Sequence, residues 1–202
     1  MKDDKDSLSE IVRELNMNES NPRTERISSE RVKQLMAHDD IEVRGVVYAF
    51  ITDQRRSQVI EPSLSFDDCF QFLTRYYERC FREDPNSKWA DSRFSAGHDF
   101  VNWFVSLWND EAVPRSAIAN LKAWLARLYG EGDAALRNCI VTATLEHLFE
   151  QQKIRKYFAD WEGDPVLGTA FSEAMEWVRG GGRTPLGKPE WSRKAKAAQR
   201  KS

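Results

Sequence analysis

From residue 27 to residue 180 the apolar positions recur every three or four residues, and nowhere do they alternate in twos for long enough to build a sheet. Ser28 or Ser29 can cap a short helix carrying Val32, Leu35 and Met36. Asp39-Asp40 can cap the next, with Val43, Val46, Val47, Phe50 and Ile51 on its inner side. That stretch is rich in β-branched residues, so a strand competes, but the spacing and the acidic cap favour a helix. Pro62 interrupts. Ser65-Phe66-Asp67-Asp68 then reads as a capping box opening a helix with Cys69, Phe72, Leu73, Tyr76, Tyr77 and Cys80 on one face. Residues 84–92 read as a loop, followed by a helix with Phe100, Val101, Phe104, Leu107 and Trp108. Pro114 suits the first turn of another, carrying Ile118, Leu121, Leu125 and Leu128 and ended by Gly130 and Gly132. Asp133 caps a helix running to about Glu150 that is apolar on most sides, which predicts a central position. A shorter helix carries Ile154, Tyr157, Phe158 and Trp161, and the last opens at Asp164-Pro165 with Val166, Leu167, Phe171, Met175 and Val178.

The pattern predicts an all-α fold: an irregular orthogonal multi-helix bundle or a short α-solenoid, with about seven helices. Asp39-Asp40-Ile41-Glu42-Val43-Arg44 resembles the second-helix entry of HEAT-type repeats, but it occurs once and no repeat period accompanies it. Residues 1–26 are polar. Only Leu8, Ile11, Val12 and Leu15 have helical spacing there, so the stretch is expected to be a mobile segment with a short helix at most. Residues 27–180 form the expected globular domain. Gly180-Gly181-Gly182 ends the last helix, and 181–202 is expected to be a disordered basic tail.

Composition narrows the class. Of 202 residues, 41% are hydrophobic and 11% aromatic, enough for one packed core. The net charge of −2 conceals an asymmetry: Arg183 to Ser202 holds seven Lys/Arg against one Glu, about +6, leaving about −8 for the rest. A near-neutral total argues against a dedicated nucleic-acid binder. The tail alone, with Trp191 amid Arg193, Lys194, Lys196, Arg200 and Lys201, has the chemistry for contact with nucleic acid through residues 183–202. Three cysteines, at 69, 80 and 139, form no C-x-x-C pair, which suits a reduced, cytoplasmic compartment. The N-terminus has no apolar signal region. No apolar run approaches the roughly 20 residues of a membrane span, so no membrane partner is expected.

Candidate chemistry is sparse. No Gly-rich phosphate loop, H-E-x-x-H, G-x-S-x-G or paired-Cys zinc pattern is present, and no cofactor is expected. The doublet His98-Asp99 is similar to that of HD-type metal-dependent phosphohydrolases. His38 and either Asp133 or Asp160 would have to complete that set, and two of its members already suit simple roles, His38 in a turn and Asp99 in a first helical turn. Glu146-His147 is the second signal. On a wheel of 100° per residue, His147 falls with Leu136, Ile140 and Ala143, and Glu146 beside Cys139, so the pair is expected to pin the packing of the central helix or to serve as a ligand or acid–base pair. Cys139 is expected to be a small buried apolar residue. Trp89, Asp91 and Arg93, in the loop ahead of His98, combine residue types common at binding hot spots. The alternative is that Trp89 folds onto the core while Asp91 pairs with Arg93.

Glu42-Val43-Arg44 leading into Val47-Tyr48, the run Tyr76 to Cys80, Trp89-Ala90-Asp91-Ser92-Arg93 and above all Ala143-Thr144-Leu145-Glu146-His147-Leu148-Phe149 resemble an uncharacterised group of bacterial helical proteins, some of them immunity-like. The resemblance implies an all-helical cytosolic domain and a partner-neutralising role, and it supplies no catalytic residues. The expectation is therefore a non-enzymatic protein-binding module, an immunity or antitoxin-like protein whose acidic folded part meets a toxin or effector. A metal-dependent hydrolase using His98 and Asp99 and a nucleic-acid-associated factor acting through the tail are the alternatives.

Overall fold

The computed structural model describes residues 7–19 and 25–180, and each stretch with helical spacing is helical in it. In chain order the elements are α1 (Leu8–Glu14), β1 (Ile27–Ser28), α2 (Ser29–Met36), α3 (Ile41–Thr52), α4 (Gln54–Ser57), β2 (Ile60–Glu61), α5 (Phe66–Glu83), α6 (Arg93–Asn109) and α7 (Arg115–Glu131). There follow α8 (Ala134–Cys139), a π-helical segment (Ile140–Leu145), α9 (Glu146–Glu150), α10 (Gln152–Tyr157), a 3-10 turn (Ala159–Gly163) and α11 (Leu167–Val178). The caps explain the starts. Ser28 accepts from Arg31 N, Asp40 from Glu42 N and Asp133 from Leu136 N, each satisfying an orphan amide of a first turn. Ser65 and Asp68 form the complete reciprocal capping box. Asp164 accepts from Val166 N and Leu167 N, so it serves α11 from just outside the helix. Gly130 lies within α7, and Gly132 is the cap that follows its last residue, Glu131.

The two β-elements form a two-residue parallel ladder, Ile27 beside Ile60 and Ser28 beside Glu61, that ties the start of α2 to the chain ahead of α5. It is a strap, and the interior is made of helices. α6 packs on α5, α7, α8, the π-helical segment and α9, while α11 packs on α7, the π-helical segment and α9. A solenoid unit touches only its neighbours in sequence, so these contacts describe a bundle. Phe100 and Phe104 of α6 are fully buried, as are Cys139, Ile140, Leu145, Leu148 and Phe149, which gives the 133–150 stretch the central place its composition predicted.

The N-terminal residues depart from expectation. Residues 1–26 were expected to stand apart as a mobile segment, yet Ile11 and Leu15 are fully buried and α1 packs on α3. Arg31 grips Glu14 with Nε and Nη2 at 3.1 and 2.9 Å, and Arg56 donates to the carbonyls of Asn16 and Glu19 at 2.7 and 3.0 Å. Four apolar side chains in a polar background sufficed because arginines from elsewhere satisfy the segment's polar groups. The expected basic tail, 181–202, lies outside the described residues, as do residues 1–6 and 20–24. Among the described residues no helix is long and apolar enough to cross a membrane.

Candidate functional site

Gly97 fixes how α6 meets the 133–150 stretch. A Cβ there would fall 2.7 Å from the Cβ of Ala143 and 3.2 Å from Thr144 Oγ1, so only glycine permits this approach. The facing segment is π-helical. Its β-branched run Ile140-Val141-Thr142 crowds an α-helical turn, and Thr142 Oγ1 donates to the carbonyl of Asn138, four residues back, at 2.9 Å. The wider turn adds about one residue, rotating everything after it by about 100° relative to an unbroken α-helix. Ile140 and Leu145, five apart, are therefore both fully buried.

That rotation relocates His147. An unbroken helix would place it inward with Leu136 and Ile140. Instead its side chain retains 33% of its exposure, and its ring lies 4.8 Å, centroid to centroid, from the ring of His98. The two histidines, 49 positions apart, line one open cleft of about 370 Å³ with Val101, Asn102 and Val105 of α6 and Glu150 and Gln151 of α9 and its end. His147 Nδ1 is 3.7 Å from Glu150 Oε1. Partial desolvation, and then the adjacent His147 ring, hold His98 below the usual imidazole range, against a weaker opposing pull from Asp99. Glu146 is half-buried on the same turn as His147.

The next residue, Asp99, belongs to the other flank of α6, since consecutive helical residues diverge by about 100°. Its carboxylate accepts from Tyr48 Oη at 2.8 Å, and Tyr77 Oη donates to Tyr48 Oη at 3.2 Å. Beside them Tyr76 Oη donates to Asp91 Oδ2 at 2.9 Å and accepts from Asp91 N at 3.1 Å, with the Tyr48 and Tyr76 rings stacked at 4.7 Å. Burial drives all three phenols well above their ordinary value. It also raises Asp91, which the Tyr76 hydrogen bond opposes and the charge of Asp99 reinforces. This network closes α3, α5 and α6 onto one another.

The loop ahead of α6 divides the remaining candidates. Trp89 is half-buried with Lys88 Nζ 4.9 Å from its ring centre, and its backbone lies so close to α3 that a Cβ on Gly45 would fall 2.1 Å from the Trp89 carbonyl oxygen. Arg93 is buried, and its guanidinium donates to the carbonyls of Phe81 at 2.6 Å and Arg82 at 3.3 Å, capping the end of α5. Trp89 therefore packs against the core, while Asp91 pairs with Tyr76 rather than with Arg93, whose guanidinium is engaged by α5. Cys139 Sγ donates to the Arg93 carbonyl at 3.3 Å, and burial pushes its thiol up to about 12, which leaves it a packing residue.

The residues of the hydrolase alternative do not gather. His38 Nδ1 accepts from Asp40 N, Asp99 is held by Tyr48, Asp133 caps α8 and Asp160 pairs with Lys122. Among the described residues no group of three or more His, Cys, Asp or Glu side chains is placed to hold a metal ion. Sequence reasoning missed the exposed aromatics that flank α6. Phe94 is 46% exposed on the His98 side, and on the Asp99 side Phe66, 41% exposed, stacks on Phe70, which touches Trp103 at 5.5 Å. Against protein families, curated proteins and solved structures alike, the chain has no match.

Proposed function

We propose that this chain is a non-enzymatic protein-binding module whose partner surface is the outer side of α6. The observation that carries this reading is the residue set α6 leaves at the surface. One flank offers Phe94, Val101 and Val105 beside the two histidines, and the other offers Trp103 continuing into Phe70 and Phe66. Contiguous aromatic and apolar surface rimmed by polar residues is what protein interfaces use, with tryptophan and tyrosine as their usual anchors. The described residues hold 20 Lys/Arg against 28 Asp/Glu, a net of −8, which favours encounter with a basic partner. An immunity or antitoxin-like role, neutralising a toxin or effector, is the form of this activity that the resemblance, carried by stretches over most of residues 30–179, supports.

The test begins with the products of neighbouring genes, purified and titrated against the full chain. A complex is expected, and Phe66→Ser combined with Trp103→Ala should weaken it at least about tenfold, with Phe66→Ser alone, at a 41% exposed ring, as the variant that keeps the packing of Trp103 on Tyr77 and Phe100. No complex with any neighbouring product or with protein from the source cells would end the binding reading. A complex indifferent to the double substitution would remove α6 from it.

A further inference from the structure

The cleft between α6 and α9 has a lining that selects by charge. Of its seven lining residues none is Lys or Arg, one is Glu150, two are histidines, and Asn102 and Gln151 bring amide carbonyls. Val101 and Val105 supply an apolar wall next to these acceptors. A neutral imidazole offers one lone pair and a flat face, and both suit a planar cation, as Glu150 suits its charge. An anion would meet a carboxylate there and no cationic side chain. The volume, about 370 Å³, and the open mouth fit a side chain delivered from outside.

We propose that the His98–His147 cleft receives a guanidinium group, presented as an arginine side chain of a basic partner protein. The aliphatic stem lies along Val101 and Val105, the planar head stacks on an imidazole, and its N–H groups reach Glu150 and the amide carbonyls. This inference rests on the protein-binding reading above and names the chemistry of one contact within it. The groups facing His98 are His147 and Glu150 across the cleft and Asp99 on its own helix, with Glu146 one position before His147 on α9. Protonation of His98 places a cation in the cleft, so recognition strengthens as pH rises through its lowered pKa.

The probe is N-acetylarginine amide, titrated into the full chain and followed through the histidine ring-proton resonances. The chain has three histidines, and His38, set in the turn between α2 and α3, serves as the internal control. At about pH 7.5 the His98 and His147 signals should shift saturably in the millimolar range while His38 stays still. N-acetylcitrulline amide, neutral and of the same shape, should bind at least about tenfold more weakly, and Glu150→Gln should cost at least about threefold. Lowering the pH through the lowered pKa of His98 should weaken binding at least about threefold. Equal binding of the citrulline compound, equal shifts at all three histidines, or no saturable shift would each overturn the proposal. These measurements need no partner. Their failure beside an intact complex that depends on Trp103 would refute the guanidinium site alone, while loss of the complex with the titration intact would refute the function.

Discussion

His98 and Asp99 are adjacent in the chain and occupy environments of opposite kind. On the Asp99 flank the hydroxyls of Tyr48, Tyr76 and Tyr77 are all hydrogen-bonded, two carboxylates take phenolic donors, and the rings stack into the core. On the His98 flank the polar groups surround an open cleft and face water. Burying polar groups stabilises only when all of them are partnered, whereas a binding site must leave some to a ligand. The Asp99 network thus ties α6 to α3 and α5, while the polar groups of the His98 cleft are, in the reading proposed above, left to a ligand.

At Gly45 the Asp91 loop lies against α3. Gly45→Ala drives a methyl into the Trp89 backbone, which cannot yield as a side-chain tip would, and should cost about 3 kcal/mol in urea unfolding. A loss below about 1 kcal/mol would show that the loop is not fixed there. Tyr76→Phe is the next largest. It strips the phenolic donor from a half-buried carboxylate and should cost about 2 kcal/mol, less at acid pH. The sign follows from Asp91, whose folded pKa is raised. Protonated Asp91 is favoured by the fold, so the penalty of an unpartnered carboxylate grows as pH rises through that value and fades below the ordinary range near pH 4. Thr144→Val is smaller and of opposite sign. Thr144 Oγ1 is buried without a hydrogen-bond partner among the described residues, so an apolar group of the same shape should gain about 1 kcal/mol and raise Tm by about 3 °C. No gain would indicate that the hydroxyl is satisfied.

Much of the frame was legible because caps are local. Ser28, Asp40, the Ser65–Asp68 box and Asp133 sit within three residues of the amides they serve, and sequence spacing alone reveals them. The apolar period gave the helices for the same reason. What was hidden depends on groups distant in the chain. Arg93 looked like an exposed anchor, but the carbonyls it caps lie 11 and 12 residues upstream, across a loop. In sequence α1 reads as loose because Arg31 and Arg56, which secure it, stand outside the segment. His147 was turned the wrong way by a wheel that assumes 3.6 residues per turn through Ile140–Leu145, where the helix widens. Its pairing with His98 leaves no trace in sequence order. Both doublets, His98-Asp99 and Glu146-His147, were singled out, yet one member of each builds the cleft, and Asp99 supports the opposite flank.

Urea unfolding of the double variant His98→Ala, His147→Ala most directly tests whether the cleft histidines are held for a ligand or for the fold. If the imidazoles are held for a ligand, the variant should unfold within about 0.5 kcal/mol of the parent chain, as surface substitutions do. A loss of about 2 kcal/mol or more would mean that the rings are packing elements, and that both flanks of α6 serve the fold.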